Sequence, residues 1–160
     1  MQVDVQKEHE WLQRLVGEWT YESDAKMAPD QPSIKFTGTE SVRSLGGIWV
    51  ICDGKGEMPG GGTGLTIMTL GFDAAKKRFV GTFIGSMMTN QWVYDGALDS
   101  TGTKLALDSE GPSFAGDGTL AKYTDTIEFT DANHRVLTAR VLMPDGKWQE
   151  FMTSRYTRVK

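Results

Sequence analysis

The stretch LVGEWT at residues 15–20 marks the point where the character of the chain changes. Before it, residues 5–16 place Trp11, Leu12 and Leu15 on one stripe at helical spacing, which predicts a short amphipathic helix. After it come runs of roughly ten residues, rich in β-branched and aromatic side chains and bounded by Gly, Pro, Asp and Asn, which predict strands. The triplet Gly17-Glu18-Trp19 is therefore the predicted junction between a helix and a sheet.

The runs that follow predict ten strands, at residues 17–26, 33–44, 47–56, 63–73, 77–86, 90–99, 103–109, 119–130, 134–143 and 147–158. A parallel crossover needs a dozen or more residues, so strands this close together must be antiparallel neighbours. An open meander of this length would expose two edges, and closure removes them. We therefore predict an all-β fold in one domain over residues 1–160, an up-and-down antiparallel barrel over 17–158 whose N-terminal helix plugs one end.

The composition limits the cellular compartment and the classes of binding partner that we expect. At 160 residues and 39% hydrophobic content, the chain has enough apolar surface for one core. The polar start lacks the features of a signal peptide, and no apolar run is long enough to span a bilayer. The single Cys52 cannot form an intrachain disulfide. We therefore expect a cytoplasmic protein without a membrane partner. The net charge is -4 and the basic cluster at 76–78 has no interleaved aromatic residues, so we expect no nucleic-acid partner.

The connections sort into two ends of the barrel. In a meander, odd-numbered connections share one end, here residues 27–32, 57–62, 87–89, 110–118 and 144–146, and the tight even-numbered ones share the other. The odd-numbered set contains the apolar residues Met58, Met87, Met88 and Phe114. Methionine adapts to varied apolar shapes, so this end is predicted to be a mouth for a ligand. The alternative is that these methionines are ordinary anchors of the loops.

Several groups of residues carry a resemblance to known proteins. A helix that leads into Gly17-Glu18-Trp19, with an Arg on the final strand, resembles the calycin group, which includes lipocalins and fatty-acid-binding proteins. A wider set resembles a bacterial family described only as a domain of unknown function: residues 8–12 (EHEWL), 17–19 (GEW), 38–43 (GTESVR), 45–47 (LGG), 70–73 (LGFD), 79–82 (FVGT), 94–96 (YDG) and 156–158 (YTR). The resemblance implies a lipocalin-like barrel and supplies no reaction.

The same resemblance implies how the closed end is sealed. In calycins a Trp from the first strand is covered by a basic side chain from the last strand, and here Trp19 and Arg158 match these positions. A register shift of one residue would put Arg155 inside instead. Fatty-acid-binding proteins carry an Arg-x-Tyr pair on the last strand, whereas Tyr156 has no Arg two residues before it, so a fatty acid is not implied.

Polar residues on apolar strand faces are the candidates for a site, because burying them costs free energy unless something satisfies them. Glu40 and Asp125 both share a strand face with apolar residues, which makes them the better candidates for polar side chains inside the barrel. A tight turn at 144–146 pairs Arg140 with Glu150, flanked by Leu142 with Trp148 and Thr138 with Met152. Inside the barrel this pair would hold a polar ligand end beside Trp92 and Tyr94; outside it would be a surface ion pair, which is the reading we favour.

Sharper motifs are absent. Residues 56–63 begin like a P-loop but lack its Lys-Ser/Thr, and no helix follows. His9 has no second His at the spacing of a zinc site and is expected to be solvated on a polar helix face, and His134 follows a tight turn at the plugged end. We therefore expect no metal and no cofactor.

The favoured function is non-catalytic binding of a small apolar or amphipathic molecule in a preformed cavity. Its candidate ligand-binding residues are Tyr21, Glu40, Met87, Met88, Trp92, Tyr94 and Asp125. The alternative, drawn from calycin-like enzymes, is a lyase or isomerase acting on an organic or aromatic acid, with Glu40 as general base, Tyr94 as proton donor and Arg140 on the substrate carboxylate. A third possibility is an interaction module that forms a homodimer through its outer aromatic side chains.

Overall fold

A ring of ten strands follows one short helix in the computed structural model, which describes residues 2–26, 28 and 30–160. The elements are α1 Lys7–Gln13, β1 Gly17–Ala25, β2 Ile34–Leu45, β3 Trp49–Glu57, β4 Thr63–Asp73, β5 Arg78–Gly85, β6 Trp92–Leu98, β7 Lys104–Pro112, β8 Leu120–Asp131, β9 His134–Leu142 and β10 Trp148–Arg158. Each strand pairs antiparallel with its neighbours in sequence, and β1 also pairs with β10. The predicted closed barrel is confirmed.

Helix α1 is shorter than the predicted 5–16 but closes one end as expected. Trp11, Leu12 and Leu15 are buried in the core, and the indole N–H of Trp11 donates to the carbonyl of Gly102 in the tight β6–β7 connection at 2.9 Å. After Gln13 the chain continues in tight three-residue turns that lead directly into β1. The apolar stripe of the helix therefore forms a lid over the barrel base.

His9 differs from its prediction, because it is buried and not solvated. Its Nδ1 accepts the backbone N–H of Gln6 at 2.9 Å, which caps the start of α1, and its Nε2 lies 3.0 Å from the carbonyl oxygen of Phe72 on β4. An Nδ1 that accepts leaves the proton on Nε2, so His9 donates to Phe72. The residue fastens the helix to the barrel wall and is structural.

The apolar core is concentrated near α1. The largest fully buried side chains are Trp19, Phe79, Leu12, Leu15, Leu70, Leu105, Leu107 and Val50. Most of them lie where the strands approach the tight connections, and they fill that half of the barrel. Unfilled space remains in the other half of the barrel, next to the longer connections. Residues 27 and 29 of the first long connection lie outside the described part of the chain.

A bulge interrupts β10 near the mouth. The pairing of β10 with β9 shifts between Glu150 and Met152, so Thr138 pairs with Thr153 and not with Met152 as predicted. A bulge adds one residue to a strand and re-aims its neighbours. Here it lets both Phe151 and Met152 line the interior.

Among the described residues, no helix is both long enough and apolar enough to cross a membrane.

Candidate ligand-binding cavity

The closed end is sealed by an arginine stacked on the first-strand tryptophan. Arg158 lies with its guanidinium carbon 4.2 Å from the ring centroid of Trp19. It also donates to the carbonyl oxygens of Val16 at 2.6 Å, Arg14 at 2.7 Å and Ala132 at 3.1 Å, which ties β10 to the end of the helix. Gly17 has a φ of 140°, and a Cβ there would collide with the Arg158 guanidinium. The glycine of the triplet is therefore what lets the arginine approach.

Arg155, the alternative for this role, points away from the barrel interior. It is exposed and donates to Asp24 on the neighbouring β1 at 2.9 Å. The hydrogen bond from Arg155 lowers the pKa of Asp24. The register thus places Arg158, and not Arg155, over Trp19.

A second arginine, which the sequence reasoning missed, lies on the inner side of Trp19. Arg135 on β9 places its guanidinium 4.5 Å from the Trp19 ring and 3.8 Å from the Tyr156 ring, and it donates to Glu40 at 2.5 Å. Its side chain is only 4% exposed. Arg135 shares its strand face with Leu137 and so continues an apolar alternation that marks the barrel interior.

This ion pair changes the interpretation of Glu40. Glu40 does point inward, as predicted, but it lies at the closed end beside Trp19 and is neutralised by Arg135. It does not line the cavity described below. Because Glu40 is engaged by Arg135 and lies outside the cavity wall, its position supports neither the general base nor the ligand contact that the sequence suggested.

The open half of the barrel contains a cavity of about 230 Å³. Its wall consists mostly of aromatic and methionine side chains, and its polar groups are one serine, one aspartate and the hydroxyls of two tyrosines. The lining residues are Met68, Phe83, Met88, Trp92, Tyr94, Ser109, Pro112, Phe114, Tyr123, Asp125, Leu137, Ala139, Phe151 and Met152. Met88 and Phe114 come from the β5–β6 and β7–β8 connections, so the cavity opens at the predicted mouth.

Trp92 is held in the wall by three contacts. Its ring lies over Gly111, where any Cβ would collide with it, and packs edge-to-face on Tyr123 with centroids 4.8 Å apart. Its indole N–H points to the Met88 sulfur at 3.3 Å. These contacts fix an aromatic wall in advance of any ligand.

Tyr94 and Asp125 form the polar pair of the cavity. The Tyr94 hydroxyl on β6 donates to Asp125 Oδ2 on β8 at 2.6 Å. Burial raises the pKa of Asp125 to about 6, and the hydrogen bond from Tyr94 offsets only part of that rise. Burial and the neighbouring Asp125 raise the pKa of Tyr94 well above its usual value. The second oxygen of Asp125, Oδ1, makes no hydrogen bond to any described residue and remains available to a ligand.

The other predicted ligand contacts lie elsewhere. Tyr21 packs over Gly38 and Gly56, with its ring centroid 5.1 Å from that of Tyr156, and does not line the cavity. Met87 is exposed and its side chain lies over Gly85, beside the cavity but outside its wall.

Arg140 lies on the outer surface. It is directly opposite Glu150, as the turn predicted, with 3.7 Å between the charged atoms and with side chains 46% and 49% exposed. This position agrees with the favoured surface ion pair and does not bring Arg140 to the inside of the barrel, where it would have to lie to hold a substrate carboxylate.

In the described part of the chain, no three His, Cys, Asp or Glu residues lie together in a group that could bind a metal ion. Cys52 is buried in the core, and burial raises the pKa of its thiol well above the usual value.

The closed ten-stranded meander, its helical plug and its open-ended cavity define a lipocalin-like barrel. The chain belongs to the family described as "Protein of unknown function (DUF1579)", whose sequence profile matches residues 4–158. The predicted membership of such a family is confirmed. A comparison with curated proteins found no match.

Two solved structures share the barrel. The crystal structure of Rv2717c from M. tuberculosis superposes with a TM-score of 0.67 at 11% identity, covering 98% of this chain and 100% of that one. The S-type phycobiliprotein lyase CPES from Guillardia theta superposes with a TM-score of 0.61 at 15% identity, covering 94% of this chain and 92% of the lyase. At these identities the likeness concerns the fold.

Proposed function

We propose that this protein binds a small, largely apolar molecule in the cavity at the mouth of the barrel. The observation that carries the proposal is the contrast within the cavity wall, where the Tyr94–Asp125 pair is surrounded by aromatic and methionine side chains. Binding sites for small molecules have this composition, in which apolar walls supply affinity and a few polar groups fix orientation.

The size of the cavity limits the ligand. An apolar cavity of about 150 Å³ is known to accept benzene. At about 230 Å³ the present cavity suits one substituted ring or a short branched chain. A long-chain lipid lying wholly inside does not fit, because the closed half is filled by the core side chains around Trp19 and Leu70.

The geometry gives the enzyme alternative less support. It required Glu40 as a base and Arg140 as an anchor, and these residues lie at the closed end and on the outer face respectively. Of the proposed catalytic set, only Tyr94 reaches the cavity, so binding is the function that the arrangement supports best.

The first experiment is native mass spectrometry on freshly purified protein, compared with its mass after denaturation. We expect a reproducible adduct of a small organic molecule that denaturation releases. Ala139→Leu should lose the adduct, because Ala139 is buried in the cavity wall. Ala97→Leu, on the exposed outer side of β6, is the matched control and should keep it.

A titration covers the case in which the ligand is lost during purification. Monocyclic probes such as toluene and benzyl alcohol should shift the NMR signal of the Trp92 indole N–H, which lies in the cavity wall. An adduct that survives Ala139→Leu, or an adduct-free protein in which no probe moves the Trp92 signal, would overturn the proposal.

A further inference from the structure

The described cavity wall contains a carboxyl group but no positively charged side chain to balance it. Asp125 is the one carboxyl group in the wall, and the described wall contains no Lys, Arg or His. Oδ2 is engaged by Tyr94, whose hydroxyl is neutral, and Oδ1 has no partner among the described residues. An ionised Asp125 therefore has one hydrogen bond and no counter-charge.

The chain does supply a cation to a buried carboxylate elsewhere. Glu40 receives the guanidinium of Arg135. Close to Asp125 the nearest arginine in register is Arg140, opposite the adjacent Thr124, and it points outward to Glu150. The missing counter-charge is thus specific to the cavity, and a ligand is the remaining source of it.

The wall favours a positive charge in a second way. Aromatic faces carry partial negative charge and attract cations, and Trp92, Tyr123 and Phe83 all line the cavity. An anionic ligand would be repelled by the carboxylate of Asp125, which disfavours it. A wholly apolar ligand would leave Oδ1 without a partner in a low-dielectric space, which costs free energy.

Building on the proposed function, we propose that the ligand is a small organic cation, a primary amine whose ammonium group pairs with Oδ1 of Asp125 while its single ring or short chain lies against the aromatic wall. The raised pKa of Asp125 agrees with this assignment, because burial in the cavity wall disfavours the negative charge. A bound ammonium removes that penalty.

The test compares benzylamine with benzyl alcohol and benzoate, which share one ring and differ in charge. Affinities are measured at pH 8 by calorimetry, with the Trp92 indole signal as the site reporter. We expect benzylamine to bind at least about tenfold more tightly than benzyl alcohol, since charge-assisted hydrogen bonds are roughly twice as strong as neutral ones. Benzoate should bind more weakly than either.

Asp125→Asn isolates the charge, because the Asn amide oxygen can still accept from Tyr94. This variant should lose the preference for benzylamine and keep its affinity for benzyl alcohol within about threefold. Glu150→Gln removes a carboxylate of the outer surface and serves as the matched control, with the preference unchanged. If both variants lose the preference equally, the net charge of the protein explains it and the proposal fails.

Acidification gives an independent readout. Benzylamine affinity should fall as the pH drops below about 6, where Asp125 becomes protonated. The titratable group that contacts Asp125 is Tyr94 from β6, and the neighbouring strands present uncharged Leu107 and Ala139, so no other charge complicates the profile. Benzyl alcohol should show no such dependence.

The outcomes separate this inference from the proposed function. If benzyl alcohol binds as tightly as benzylamine and Asp125→Asn changes nothing, the amine assignment is wrong and ligand binding stands. If benzoate binds best, the assignment is also wrong. If no probe binds and no adduct is found, both proposals fail.

Discussion

Two carboxyl groups point into this barrel, Glu40 near the closed end and Asp125 near the mouth, and their surroundings are opposite. Glu40 lies 2.5 Å from the guanidinium of Arg135, which is itself packed between two aromatic rings. Asp125 has the hydroxyl of Tyr94 and a free side that faces an aromatic cavity. The carboxylate at the closed end therefore has a counter-charge from the chain itself, whereas the described wall around Asp125 has no cationic side chain, and we propose that a ligand supplies the charge there.

The largest expected effect comes from breaking the complete pair. Glu40→Gln leaves the Arg135 charge buried without a partner, and such a change costs about 3–5 kcal/mol of unfolding free energy. Urea denaturation measures this loss. Combining Glu40→Met with Arg135→Met should recover much of it, because apolar pairs of similar volume often replace buried ion pairs without a penalty.

A Glu40→Gln variant as stable as the parent would show that the pair contributes little to the closed end. A variant with the expected instability that still shows the benzylamine preference would confirm that the two carboxyl groups act independently.

The pattern of apolar residues predicted the barrel and its inward carboxyl groups, but it did not reveal Arg135 at the closed end. The alternation of apolar residues and the short connections predicted the barrel, and all ten strands begin and end within three residues of the predicted bounds. They also placed Glu40 and Asp125 on the inner face, because a period of two assigns every second residue to the same side. Arg135 could have been found in the same way, since it continues the inward series of Leu137, but it is a charged residue beside a tight turn and resembles surface sequence.

The sequence could not predict how far along the barrel axis each inward-facing side chain lies. Whether two inward residues from different strands meet depends on the stagger of the strands, which alternation does not encode. Tyr94 on β6 and Asp125 on β8 meet across the intervening β7, whereas Glu40 lies at the level of Trp19. The bulge at Phe151 was hidden for a related reason, because it changes the register without changing the pattern of residue types.

The second prediction concerns Asp125 and has the opposite sign. Its pKa rises from 3.8 in the unfolded chain to about 6 in the folded protein, so the folded state binds the proton more tightly. Ionisation therefore destabilises the fold at pH values above about 6, and the penalty disappears as the pH falls below about 4. Asp125→Asn should stabilise the ligand-free protein by about 2–3 kcal/mol at pH 8 and by nearly nothing at pH 4.

Urea unfolding at the two pH values checks this sign. A variant that is less stable than the parent at pH 8 would show that Asp125 is a structural group like Glu40. The expected result, a gain in stability together with a loss of amine preference, is the signature of a residue whose role is binding and not folding.

The smallest expected effect comes from Arg140 and Glu150, which form the same type of pair as Arg135 and Glu40 but on the outside. Both side chains are about half exposed, and exposed ion pairs contribute about 0–1 kcal/mol because water and salt screen the charges. Arg140→Ala should therefore change the unfolding free energy by less than about 1 kcal/mol, and added salt should remove even that difference. Arg140→Ala should also leave the binding of benzylamine and benzoate unchanged. A loss of benzoate binding in this variant would instead return Arg140 to the cavity and would revive the acid-binding enzyme that its outward position argues against.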